Sequence, residues 1–157
     1  LATVQKGEKM FKRLNLLIVV TVIGLALLAG VVATACSPSP ATTQTPVRVT
    51  LDEFSIKLSA TSAPAGKVTF DVVNQGKIEH ELIVLKSDLA PNALKMLAAD
   101  PTKVDEEAGA KNLGEVENVA AGTTKPGTFD LPAGKYVLIC NTPEHYKGGM
   151  TVAFELK

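Results

Sequence analysis

The sequence predicts an all-β domain: a Greek-key β-sandwich of seven to eight strands with one short helical insertion, preceded by an N-terminal hydrophobic helix. Three observations predict it. Short, alternating or β-branched apolar segments recur from residue 47 to the end. Turns rich in Gly and Pro separate them. Only residues 88–100 show helical spacing inside that region.

Taken in order, the chain opens on a leader. Lys12 and Arg13 precede residues 14–35, which carry no charge and are numerous enough to span a bilayer. The residues before Met10 fit no export pattern. The run Val32-Ala33-Thr34-Ala35-Cys36 resembles the lipobox of bacterial lipoproteins, which implies cleavage before Cys36 and a lipid on its sulfur. An uncleaved membrane anchor is the other reading of residues 1–35. Either way the domain is expected outside the cytoplasmic membrane and tethered to it. Residues 36–46 follow as a Pro/Ser/Thr linker that cannot build a core, and the folded domain is expected over residues 47–157.

Within that domain, residues 47–51, 54–58 and 67–73 alternate as half-buried strands, with turns at 63–66 and 74–76. Residues 81–85 are continuously apolar after Glu81, which predicts a central strand. Residues 88–100 place Leu94, Leu97 and Ala98 at helical spacing between Pro91 and Pro101, so a short helix is expected there, carrying Met96 as a packing residue. Residues 102–112 are polar and read as a loop, with Asp105, Glu106 and Glu107 solvated. Strands resume at 113–119, 128–131, 135–140 and 151–156.

Composition excludes several functions. Four of the 16 basic residues and one of the 16 acidic ones precede Cys36, which leaves a mature net charge of about −3. No basic run argues for nucleic acid. With Cys36 assigned to the membrane, Cys140 stands alone and no disulfide can form in the domain.

The chemistry lies in His80 and in the stretch Cys140-Asn-Thr-Pro-Glu-His145-Tyr-Lys-Gly-Gly-Met150. Two imidazoles, a thiolate and a thioether form the ligand set of a mononuclear copper electron-transfer site. Cys140 ends one strand, His145 and Met150 each follow after four residues, and Gly148-Gly149 permits a tight approach. His80 can join them only if its strand neighbours that of Cys140. Taken singly, each residue has a plainer use: Cys140 as a small buried hydrophobe, His80 as a cap, Met150 as core. Tyr146 reads as a packing residue and Asn74 as a strand end or a hydrogen-bonding neighbour of the site. A zinc site is the rival metal, and a methionine ligand argues against it.

At these residues the chain resembles the cupredoxins, the type 1 or blue copper proteins, with Cys–His–Met spacing similar to that of auracyanin and sulfocyanin. The resemblance implies one copper ion cycling between Cu(I) and Cu(II), held by His80, Cys140, His145 and Met150, with electrons leaving through the edge of His145. It implies redox partner proteins, no small-molecule substrate and a monomer. Two positions depart from the family pattern: Glu81 stands where many members have Asn, and Glu144 where many have Gly. Copper chaperoning is the alternative function, disfavoured because Met96 and Met150 are the only methionines after Cys36. A copper oxidase or nitrite reductase needs further histidines, and the chain has two.

Overall fold

The computed structural model describes residues 44–157. The expected leader, hydrophobic helix, linker start and Cys36 lie outside the described residues. Among the described residues eleven strands are formed: β1 (Val47–Asp52), β2 (Ser55–Leu58), β3 (Ser62–Ala63), β4 (Gly66–Asn74), β5 (His80–Lys86), β6 (Met96–Leu97), β7 (Asp100–Val104), β8 (Lys111–Val119), β9 (Thr124–Leu131), β10 (Gly134–Ile139) and β11 (Thr151–Leu156). A single helical turn, α1 (His145–Gly148), lies between β10 and β11. Among the described residues, no helix is long and apolar enough to cross a membrane.

Two sheets make the sandwich. One runs β2-β1-β4-β9 and the other β3-β11-β10-β5-β8; β6 and β7 form a separate two-stranded ribbon. The chain crosses between the two large sheets at β2–β3, β3–β4, β4–β5, β8–β9 and β9–β10, so sequence neighbours are often not sheet neighbours. Alternation in β1 and β4 sends Val47, Val49, Leu51, Val68, Phe70 and Val72 inward, where they meet Leu82, Val84, Leu138 and Phe154 of the facing sheet. Phe70 packs edge-on against Phe154, with ring centroids 5.5 Å apart. Each such fully buried aliphatic or aromatic side chain contributes roughly 1.5–3 kcal/mol.

The central position expected for residues 81–85 is observed, since β5 lies between β10 and β8. Its unbroken apolar character has a specific cause. Leu82 and Val84 face the main core, while Ile83 and Leu85 face a second cluster with Leu94, Val104, Val137, Ile139 and Tyr146. Residues 87–110 cover the outer face of this sheet and so give both faces of β5 something to bury.

That covering segment is not the expected helix. It forms one 3-10 turn at Pro91–Ala93 and then the β6–β7 ribbon. Leu94 is extended, with φ −68° and ψ 144°, and its amide donates to the Tyr146 hydroxyl at 3.0 Å. The same hydroxyl donates to Pro91 O at 2.7 Å. The Asn141 side chain pairs with Val104 as a strand backbone would, accepting from its amide at 2.6 Å and donating to its carbonyl at 3.1 Å. These tertiary bonds capture the groups a helix would need, and local propensity yields. Met96 packs against the outer cluster as expected, but from a strand. Glu106 is not simply solvated: its carboxylate accepts from Asn141 Nδ2 at 2.8 Å and Asn112 Nδ2 at 2.6 Å.

Asn74 ends β4 and shapes the approach to His80. Its side-chain nitrogen donates to Ile78 O and Val119 O, both at 2.7 Å, and its oxygen accepts from the Gly76 amide at 2.8 Å. Three backbone groups depend on this one buried amide. Replacing it, Asn74→Ala, is expected to cost about 2–4 kcal/mol of unfolding free energy, measured by urea titration of the metal-free protein, because the orphaned carbonyls stay buried.

Candidate metal centre

β5 pairs antiparallel with β10, with Ile83 opposite Ile139 and Val84 opposite Leu138. The start of β5 and the end of β10 therefore meet at one edge of the sandwich, which brings His80 beside Cys140. β11 returns along the other side of β10, with Thr151 opposite Ile139, so the intervening residues form a closed loop. Inside the loop, His145 N donates to Thr142 O and Met150 N to His145 O, both at 3.0 Å; Cys140 N donates to Met150 O at 3.1 Å. α1 is capped by Gly149 at φ 115°, a conformation open to glycine. A Cβ on Gly148 would lie 2.6 Å from the Phe54 ring, so that glycine permits the loop to close against Phe54.

The result is a compact donor triangle. His80 Nδ1 and His145 Nδ1 are 3.2 Å apart, Cys140 Sγ is 3.4 Å from His145 Nδ1, and the third edge, Cys140 Sγ to His80 Nδ1, is 3.8 Å. A point equidistant from the three donors lies about 2.0 Å from each, against about 2.0–2.1 Å for a metal–imidazole bond and about 2.3 Å for a metal–thiolate bond. The three atoms thus fit one ion without rearrangement. All three residues are buried, as is Met150, which sits with Cys140 in the main core.

Electrostatics favour the uncharged forms of His145 and Cys140. Burial, and then neighbouring His80, hold His145 below the ordinary imidazole range. Burial pushes the Cys140 thiol up; the Thr142 hydroxyl and the amides of Glu81 and Thr142 favour the thiolate without outweighing it. A metal must therefore displace the thiol proton on binding. Cys140 Sγ and Thr142 Oγ1 are 3.5 Å apart, close enough for the hydroxyl to donate to a thiolate.

The structure also gives places to the two departures from the family pattern. Glu81 turns its carboxylate to the backbone beyond Cys140 and accepts from Asn141 N at 3.1 Å. Burial pushes this carboxyl group up. Glu144 has φ 67°, the left-handed conformation in which glycine is at ease, and its amide donates to Thr102 O at 2.9 Å. Its exposed pairing with Lys147 at 3.5 Å is worth little.

Sequence reasoning did not single out Glu53, Phe54, Asn141 or Thr142. Glu53 Oε1 lies 3.4 Å from His80 Nε2, and the Phe54 ring meets the His145 ring edge-on, with centroids 5.5 Å apart. Thr142 and Asn141 were within reach of inference as neighbours of Cys140. Glu53 and Phe54 carry no such signal, because they reach the site only through the turn between β1 and β2.

The lowered His145 value predicts an acid weakness of the metal-free protein. Below about pH 6.5 the unfolded chain binds a proton at this imidazole while the folded chain resists it, so stability falls as pH falls. Between pH 6.5 and 5.5 the wild type should lose stability more steeply than His145→Gln, by at most about 1.4 kcal/mol per pH unit, in denaturant titrations at each pH.

Comparison with known proteins agrees with this geometry. The model of the sulfocyanin (SoxE) domain matches residues 52–156. Among solved structures, dithionite-reduced auracyanin from Roseiflexus castenholzii superimposes with a TM-score of 0.56 at 19% identity, covering 73% of this chain and 98% of that one. Auracyanin B gives 0.50 at 26% identity over 73% and 91%. Rusticyanin from Thiobacillus ferrooxidans gives 0.52 at 16% identity over 73% and 79%. No curated protein matches by sequence. The chain belongs to the sulfocyanin (SoxE) domain family and has the blue copper cupredoxin fold, whose cofactor is a single type 1 copper.

Proposed function

We propose that the protein carries single electrons between redox partner proteins outside the cytoplasmic membrane, tethered there by lipid on Cys36 or by its N-terminal segment. The observation that carries the redox reading is the donor triangle of His80, Cys140 and His145, set at bonding distance around one point. Copper, when bound, supplies the one-electron couple between Cu(I) and Cu(II). The chain's part is to hold the donors still. Two strands and a hydrogen-bonded loop fix them in a buried setting, and Met150, buried beside Cys140, would supply the weak thioether donor that such sites use to tune potential. A fixed donor set suits both oxidation states, so little rearrangement accompanies the electron.

Copper hand-over is the competing reading. It calls for accessible donors, whereas His145, the more exposed of the two histidines, is 5% exposed and lies against Phe54. The electron path proposed for His145 accordingly leaves through the Phe54 side of the loop.

Loading with Cu(II) should produce an intense thiolate-to-copper absorption band and a type 1 electron spin resonance. Cys140→Ser should abolish the band, while Met96→Leu should leave it intact. A reversible one-electron wave in voltammetry supports the carrier; copper that leaves readily to a chelator without a stable Cu(II) form supports the chaperone.

The tether has its own test. In a bacterial host, Cys36→Ala should prevent incorporation of labelled fatty acid. If the wild type carries the label and its mature chain begins at Cys36 by mass, lipid is the anchor; if it carries no label and retains residues 14–35, the uncleaved N-terminal segment is.

A further inference from the structure

His80 Nε2 is fully buried and makes no hydrogen bond. It is the one side-chain polar atom among the described residues in that condition, and it belongs to a ligand candidate. Glu53 Oε1 lies 3.4 Å away. That oxygen is not placed by chance. It accepts from Lys77 N at 2.7 Å and from Ile78 N at 3.0 Å, and these amides hold the Glu53 carboxyl below the ordinary carboxylate range. Gly76 closes the third side: a Cβ there would lie 2.6 Å from Glu53 Oε1 and 2.9 Å from His80 Nε2. The turn of residues 75–78, itself fixed by Asn74, thus cradles a carboxylate against the back of an imidazole.

The front of the same ring constrains its proton. His80 Nδ1 and His145 Nδ1 are 3.2 Å apart, so in the metal-free protein only one of them can carry the hydrogen between them. A carboxylate behind His80 places that ring's proton on Nε2, leaving His80 Nδ1 bare and His145 Nδ1 as the donor. Ligating histidines commonly direct their second N–H to such a partner, which fixes tautomer and orientation.

We infer that Glu53 is a positioning residue for the metal centre: it holds His80 as the Nε2–H tautomer and places a negative charge behind the ligand that favours Cu(II) over Cu(I). The inference rests on the copper reading proposed above. Because Oε1 already accepts two amides, its action on His80 is more electrostatic than that of a short hydrogen bond. Removing the charge should therefore move the potential more than it moves the fold.

The test uses the copper-loaded protein. In Glu53→Gln, the Cu(II)/Cu(I) affinity ratio should fall about tenfold, which raises the potential by about 59 mV, with the thiolate-to-copper band retained. Glu155→Gln, which removes the same charge at the far end of β11, should give a much smaller shift, since exposed charges beyond a screening length of about 8 Å act weakly. Equal shifts in the two variants, or none in Glu53→Gln, overturn the inference. Should Glu53→Gln fail to fold, nitrogen-15 spectra of the metal-free wild type decide: the expected result is a protonated Nε2 on His80 and a protonated Nδ1 on His145, and the reverse pattern overturns it. A wild type that develops no thiolate-to-copper band overturns the copper reading instead, and the tautomer result separates the two failures.

Discussion

The antiparallel pairing of β5 with β10 is the constraint on which the site depends. It sets His80 at one strand's start beside Cys140 at the other's end. Its register is enforced by two different cores, one on each face. Leu82, Val84 and Leu138 belong to the inner cluster, and Ile83, Leu85, Val137 and Ile139 to the outer one. A slip of one residue would exchange these sets and turn Cys140 away from the histidines. The precision of the donor triangle is thus inherited from aliphatic packing some distance from it.

The segment between β5 and β8 completes that arrangement. It buries the outer face of the sheet, and it is latched to the ligand loop at three points: Asn141 to Val104, Tyr146 to Leu94 and Pro91, and Glu144 to Thr102. Asn141 and Tyr146 each sit next to a ligand candidate. The loop is therefore held from inside by the sandwich and from outside by the ribbon. Mononuclear copper sites that change little between oxidation states need this kind of support on more than one side.

Much of this was legible in the sequence. The alternation of β1 and β4 and the turns at residues 63–66 and 74–76 announced a sandwich, and the stretch from Cys140 to Met150 announced chemistry. The spacing of Leu94, Leu97 and Ala98 misled because it satisfies a helix locally, while the Tyr146 hydroxyl and the Asn141 amide that overrule it come from distant parts of the chain. Glu106 read as a solvated acid for the same reason: its partners, Asn112 and Asn141, are set by tertiary packing. Glu81 and Glu144 looked anomalous only by type. In place, one supplies a carboxyl oxygen to a backbone amide, and the other occupies a left-handed turn of the kind in which glycine is at ease. Glu53 had no sequence signal at all, since an acid at a strand end is ordinary until the fold carries it to a buried imidazole.

Phe54 has the last position between the centre and the solvent. Half of its surface is exposed while its ring stands edge-on to His145. The outermost group over this imidazole is therefore hydrocarbon, not nitrogen. A molecule that approaches His145 from this side meets the Phe54 ring before the imidazole. That hydrocarbon cover limits contact between this imidazole and water. Phe54, from the turn between β1 and β2, thus shields one side of the loop that carries His145.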